Sequence, residues 1–339
     1  MKQFNPNKPI RWGIIGCGDV TEVKSGPAFQ KVDGSELVAV MRRTGEKAAD
    51  YARRHGVPKW YDDGDALIND DDVDAVYIAT PPSSHMEYTI KVAEAGKPVY
   101  VEKPMALNAS ECEAMIAACE KAGVPLWVGY YRRCLPRFEK MREIIQSGQI
   151  GEPRAVVIRN FMIQGIQPSA RAADSWVVNP EISGGGQFVN LHSHTLDWMD
   201  YTFGPVAEVN AIAVNLAGEY KAEDTVSMSL RFESSIFPSS ILASGIFAYT
   251  TAHKEESVTV YGNSGHVSMS FFALTPVTLT TAEGTQTFDI PDPQHVHQPL
   301  VQTIMNELHG GSPCPSTGYT ALRTAQVTDI VLAEYRKKS

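Results

Sequence analysis

The chain has few cysteines, and no two of them are spaced as CxxC. Its five, Cys17, Cys112, Cys119, Cys134 and Cys314, are scattered, which excludes a disulfide framework and a cysteine-based zinc site. No apolar run approaches the roughly 20 residues that span a bilayer. The opening stretch MKQFNPNKPIRWGIIG is too polar for a signal peptide, so a cytoplasmic location is expected. Basic residues are outnumbered: 30 Lys and Arg against 39 Asp and Glu give a net charge of −9. That balance argues against a nucleic acid or an anionic membrane as main partner, while leaving room for a small basic patch. Internal repeats and low-complexity linkers are lacking as well. What is there, 339 residues with 43% hydrophobic and 20% charged content, suits two globular domains with sizeable cores.

The first third alternates short apolar runs with helical patterns. IRWGIIG, ELVAVM (36–41), AVYIAT (75–80), PVYVE and VPLWVGY read as buried strands. Between them, TGEKAADYARRHG reads as a helix with Thr44 as N-cap and Gly56 as its stop. Ser84 and Glu87 form a capping-box pair opening a second helix, and a third runs from about Asn108 to Ala122. This β-α-β rhythm predicts a doubly wound parallel sheet, an α/β domain over residues 1–133. LPRFEKMREIIQSG is then one helix. The runs RAVVIRNF, AEVNAIAV, TVSMSLRF, SVTVYG and HVSMSFF alternate with period two, with Gly262-Asn263 as a turn, and two helices close the chain near 298–309 and 317–336. Residues 134–339 are therefore expected to form one α+β domain around a large, mostly antiparallel open sheet.

GIIGCGDVT places Gly16-x-Gly18-x-x-Thr21 directly after the first strand. Gly16 permits the tight turn and Gly18 lets a pyrophosphate approach the backbone. The N–H groups of Asp19 and Val20 open the following helix, and Thr21 is small enough to keep that helix close. This is a dinucleotide site in its expected context. The second strand ends Met41-Arg42-Arg43-Thr44, without the carboxylate that binds a ribose 2′-hydroxyl in NAD sites. Two guanidiniums attract a 2′-phosphate and can bond it bidentately, so NADP(H) is expected over NAD(H).

Two further stretches carry chemistry. Pro104 holds Lys103 extended at the end of the strand PVYV, where ligands bind in such sheets. Beside an oxidised nicotinamide, desolvation and positive charge would lower the pKa of that lysine. NLHSHTLDWMD follows Gly184-Gly185-Gly186 and offers His192, His194 and Asp197 within six residues. The spacing suits a metal site at first sight, but no later His or Cys cluster supplies further ligands, so no metal is expected.

Taken together, GIIGCGDVT, DAVYIATPPSSH, AGKPVYVEKPMA, GYYRRCLPRF, SGQIGEPRAV and SGGGQFVNLHSHTLD resemble the Gfo/Idh/MocA oxidoreductases, the glucose–fructose oxidoreductase and inositol dehydrogenase group. The resemblance covers about residues 10–200. It implies that Lys103 bonds the reacting substrate oxygen and the nicotinamide side of the cofactor, and that Glu102 helps hold the cofactor. It also implies that the Lys103–Pro104 bond can be cis, and that Thr80, Pro81, Pro82 and His85 border the adenosine and pyrophosphate. Tyr131 falls at a pocket position and Arg133 near the nicotinamide. The family pattern GGG-x-x-x-D-x-x-x-H maps onto Gly184–Gly186, Asn190 and His194.

On a helix, Asn190 and His194 are four apart and share a face. His194 is then the candidate base that takes a hydroxyl proton as hydride leaves the same carbon. The chain departs from the family at Asn190, which keeps a hydrogen-bonding group but loses the negative charge that raises a histidine pKa. His192 is expected to pack. Asn190, His194, Tyr131 and Trp176, with Arg132 and Arg171, are candidates to contact a small polyhydroxylated substrate. The resemblance also implies a homodimer or homotetramer built through the C-terminal sheet. The leading expectation is an NADP-dependent oxidoreductase acting on a secondary alcohol or ketone of a sugar, polyol or cyclitol. Its competitors are a non-catalytic NADP-binding sensor and a redox-assisted lyase or glycosidase, which would retain its cofactor tightly.

Overall fold

The structure, a computed structural model, describes residues 4–5, 8–163 and 175–338. Six strands, Ile10–Ile15 (β1), Ser35–Met41 (β2), Lys59–Tyr61 (β3), Ala75–Ile78 (β4), Val99–Val101 (β5) and Leu126–Val128 (β6), form one sheet in the order β3-β2-β1-β4-β5-β6. Every neighbouring pair is parallel. The central strands are buried on both faces, as parallel strands must be, and β4 and β5 expose nothing. The order reverses between β1 and β4, and such a switch point opens a crevice at the strands' carboxyl ends.

The helix signals are met unevenly. Asn108 caps Ala109–Ala122 by accepting the Glu111 N–H, and Gly123 ends that helix at φ 68°. Thr44 precedes Gly45–His55 but makes no capping bond with its side chain. The Ser84–Glu87 capping box does not form. The Ser84 hydroxyl instead donates to Thr80 Oγ1 (2.8 Å) in a 3-10 turn, Pro82–Ser84, because a side chain with a nearer partner does not wait for a helix N–H.

The second sheet has eight strands: Pro153–Ile163 (β7), Val206–Val214 (β8), Thr225–Phe232 (β9), Ile241–Thr251 (β10), Glu255–Gly262 (β11), Gly265–Met269 (β12), Val277–Thr281 (β13) and Gly284–Phe288 (β14). Their order is β14-β13-β12-β11-β7-β10-β9-β8, antiparallel except where β10 pairs with β7. The period-two pattern works as expected: Val226, Met228, Leu230 and Phe232 of β9 point inward, and Ser227 and Ser229 face out.

The expected domain boundary needs correction. One compact unit comprises Met1–Tyr131 and Pro293–Leu322, the other Arg132–Asp292 and Arg323–Ser339. Residues 134–339 are thus not one block. The reason lies at β6, an edge strand with unpaired backbone groups. Val128 N–H donates to Ser316 O (3.2 Å), the Ser316 hydroxyl donates to Val128 O (2.7 Å), and Trp127 forms a bridge with Thr317. The buried Trp127 indole also donates to Glu307 Oε2 at 3.0 Å.

Candidate functional site

In the first unit, the residues expected to bind a dinucleotide gather at the carboxyl ends of β1, β2, β4 and β5. Gly16 has φ +93°, and a Cβ there would lie 2.9 Å from Ala79 O and from Thr80 Cγ2. Only glycine allows this approach. At Gly18 a Cβ would meet nothing closer than Gly16 O at 3.8 Å, so the backbone there is open to a ligand. Asp19 is exposed and Val20 half-buried. Thr21 is fully buried, its hydroxyl donating to Gly18 O at 2.8 Å. Arg42 is half-buried and donates to Cys17 O at 3.3 Å, while Arg43 is exposed. A loop with this bare backbone and two adjacent guanidiniums fits a dinucleotide phosphate group.

Thr80 and Pro81 are half-buried and Pro82 is buried. His85, expected to border the adenosine and pyrophosphate, has its ring nitrogens among backbone carbonyls. It is fully buried, with Nε2 2.7 Å from Thr80 O and Nδ1 3.1 Å and 3.2 Å from Pro104 O and Met105 O. It therefore ties the end of β4 to the turn after β5. The Lys103–Pro104 bond in that turn is cis, and Lys103 is half-buried. Glu102 is buried. Its Oε1 accepts the Tyr77 hydroxyl at 2.5 Å and its Oε2 accepts the Lys103 N–H at 3.1 Å. Tyr131, nearly buried, packs its ring 4.5 Å from that of His297.

In the second unit, Asn190 and His194 lie on a helix whose first turn departs from α geometry. Phe188–His192 is a π-turn, followed by the α-helix Ser193–Phe203. Such single turns are rare and concentrate at functional sites. The α-helical spacing assumed for Asn190 and His194 is corrected accordingly: their four-residue step spans a wider turn. The glycines make this geometry possible. A Cβ at Gly185 would collide with Val189 Cγ2 (2.3 Å), and one at Gly186 with Glu223 O (2.7 Å). Glu223 accepts the Gly186 N–H at 2.8 Å, and burial pushes its carboxyl up to about 7. Asn190 is half-buried and His194 buried.

The neighbours of His194 divide cleanly. His192 packs among Phe188, Phe247 and Phe272, its Nδ1 3.1 Å from Thr195 Oγ1, and burial drives its pKa down to about 3. Asp197 is paired with Arg133, which donates to it twice, at 2.8 Å and 2.7 Å, and reaches Asp200 at 3.4 Å. The Arg133 guanidinium, expected near the nicotinamide, is buried and paired with these two carboxylates. Arg132 is likewise enclosed, 4.8 Å from the Phe272 ring. Trp176 is 43% exposed. Arg171 lies outside the described residues. Among the described residues no group of three or more His, Cys, Asp or Glu could hold a metal ion, and no helix is long and apolar enough to cross a membrane.

Residues 10–130 match the model of an oxidoreductase family with an NAD-binding Rossmann fold, and residues 138–268 match the GFO/IDH/MocA C-terminal domain. The chain belongs to the Gfo/Idh/MocA oxidoreductase family. It is 38% identical to Oxidoreductase P35 of Formosa agariphila over 90% of this chain and 93% of that protein. It is 29% identical to the 1,5-anhydro-D-fructose reductase of Ensifer adhaerens, covering 91% of each. Among solved structures, the aldose–aldose oxidoreductase of Caulobacter crescentus in complex with glycerol superposes with a TM-score of 0.84 at 27% identity, over 98% of this chain and 99% of that one.

Several polar residues of this Gfo/Idh/MocA protein escape a reading of its sequence. Tyr77 and Tyr100 sit opposite each other in β4 and β5, and His297 comes from the returning segment. A faint signal exists: two tyrosines in otherwise aliphatic buried strands imply a buried polar partner. Glu223 has no such signal, since an acid between strands usually reads as a solvated turn.

Proposed function

We propose that this protein is an NADP-dependent oxidoreductase acting on a secondary alcohol or ketone of a sugar, polyol or cyclitol. One observation carries the reading: Glu102–Lys103–Pro104 leaves the carboxyl end of β5 in the same sheet whose β1 delivers the open backbone at Gly18. The relatives support the substrate class by name, a 1,5-anhydro-D-fructose reductase and an aldose–aldose oxidoreductase. A bound nicotinamide supplies or accepts the hydride. The chain's own residues do the rest. Backbone at Gly16 and Gly18, with Asp19, Val20 and Thr21, receives the pyrophosphate, and Thr80, Pro81 and Pro82 border it. Arg42 and Arg43 select the 2′-phosphate. The Lys103 ammonium donates to the substrate oxygen and polarises a carbonyl in reduction. His194 accepts the hydroxyl proton in oxidation and returns it in reduction. Asn190 holds the substrate or the imidazole by hydrogen bonding without adding charge, and Tyr131 and Trp176 contribute apolar faces and, for Tyr131, a hydroxyl.

The test is absorbance at the reduced-nicotinamide band with a panel of sugars, inositols and their keto forms, comparing NADP with NAD and wild type with Lys103→Met. Turnover is expected with NADP. Loss of Lys103 is expected to cut kcat by at least about a hundredfold, the scale of one positioned proton donor or electrostatic contact, with cofactor binding retained. Full activity in Lys103→Met would remove this reading.

A further inference from the structure

His297 is fully buried among the rings of Tyr77, Tyr100 and Tyr131, and both of its nitrogens lie near polar groups. Its segment is strapped to the two short helices that follow the glycine loop, Asp19–Val23 and Ala28–Lys31. The His297 N–H donates to Lys24 O at 3.1 Å, and two residues earlier His295 places Nδ1 2.6 Å from Val23 O and Nε2 2.7 Å from Lys31 Nζ. The strap carries the imidazole to the back of the Glu102–Lys103 turn. Nε2 lies 3.3 Å from Glu102 Oε1, within ion-pair range though off the line of a good hydrogen bond. Nδ1 lies 2.7 Å from the Tyr100 hydroxyl. A carboxylate oxygen can only accept, so the tautomer with its proton on Nε2 is the one that suits Glu102, and it leaves Nδ1 to accept from the Tyr100 hydroxyl.

Three polar groups thus surround the carboxylate: the Tyr77 hydroxyl and the His297 ring at Oε1, and the Lys103 N–H at Oε2. The charged groups facing the ring are Glu102, Lys24 and Lys103, and the aromatic neighbours are Tyr77, Tyr100 and Tyr131. Burial and the two lysines hold the imidazole neutral, with its pKa lowered to about 4. A leucine would fill this volume without burying polar nitrogens. One edge of the ring faces the Glu102 carboxylate, and the residue that carries it is covalently next to Lys103.

We propose that His297 is a positioning residue for Lys103, acting through Glu102. Neutral His297 and Tyr77 hold Glu102 as an oriented anion, and that anion favours the charged form of the adjacent lysine. The inference deepens the oxidoreductase reading, in which Lys103 is the group that bonds substrate oxygen.

The experiment uses full-length protein with reductively 13C-methylated lysines, the Lys103 resonance being assigned by Lys103→Arg and titrated by NMR. In His297→Leu the Glu102 anion loses a polar neighbour and the turn loses polarity. Both changes lower the Lys103 pKa, by about half a unit or more. His297→Gln, which can place an amide N–H near the Nε2 position, is expected to restore most of the shift. Tyr100→Phe, which deletes one hydroxyl and frees the tautomer, is expected to shift Lys103 in the same direction. It decides the matter should His297→Leu fail to fold. An unchanged or raised Lys103 pKa in these variants would overturn the proposal. Where substrate turns over, the Lys103 limb of the kcat profile is expected to move with the NMR value. Wild type without turnover on any substrate would sink the dehydrogenase reading and leave the titration to judge His297 by itself.

Discussion

Arg42 and Arg43 are neighbours in sequence with different surroundings. Arg42 is half-buried with one bond to the Cys17 carbonyl, and Arg43 stands in solvent. Both remain able to reach an anion, and charge-assisted bonds of this kind are worth about 1.5–3 kcal/mol each. Replacing both with Ala is expected to weaken NADPH at least about tenfold and NADH by less than about threefold. Titration calorimetry of both cofactors against both proteins checks this, and equal losses would mean that the pair does not read the 2′-phosphate. At this scale, the sequence was informative where chemistry is local. A glycine with positive φ, a proline after Lys103 and a missing acid after β2 are visible in the letters. The packing partners of Arg133 and His85 were not legible. Whether a guanidinium meets a carboxylate 64 positions away, or a ring spans two carbonyls, depends on packing that no short motif encodes.

The helix that begins beyond Gly184–Gly186 shows how one element is set by another. Its opening π-turn approaches the strand-side Glu223 so closely that Gly186 tolerates no Cβ. Burial raises the Glu223 carboxyl from 4.5 to about 7, against the Gly186 N–H and the Arg336 charge, which pull it down. Below about pH 4.5 the group is protonated in folded and unfolded chains alike. As pH rises further, the unfolded chain releases this proton while the folded one retains it until about 7. The contribution of Glu223 to stability therefore declines across that window. Glu223→Gln keeps an oxygen for Gly186 and cannot ionise. Its unfolding free energy is expected to fall less between about pH 5 and pH 7.5, and to exceed that of wild type at the upper end by up to about 3 kcal/mol. Denaturant titrations at a series of pH values would show this as diverging curves; parallel curves would mean that Glu223 does not titrate in the folded state. A helix at Asn190 and His194 was expected only from the family pattern, and its first turn was not legible, because a π-turn reflects what the glycines pack against.

For the molecule as a whole, the outer face of the eight-stranded sheet is the next question. Ile212, Leu242, Ile246 and Tyr261 expose 70%, 58%, 41% and 44% of their surface. The register puts them on one face: Leu242 and Tyr261 flank Ala155, and Ile246 and Ile212 flank Ser227. Exposed apolar rows of this kind mark association surfaces, and we propose that a second copy covers them. Light scattering of Leu242→Asp/Ile246→Lys is expected to show a smaller particle than wild type, with the fold kept by circular dichroism; the same mass for both would assign association to another face. The sequence by itself determined the fold class, most of the strands of the first sheet and several of the second, the longer helices of the first unit, the glycine loop and the Lys103 turn, because periodicity and backbone restriction act within a few residues. Tertiary structure decided the rest. It returned residues 293–322 to the first unit, because the edge of β6 needed partners, and it chose which charged side chains were consumed by burial, because a buried ion requires a counter-charge from wherever the chain can supply one.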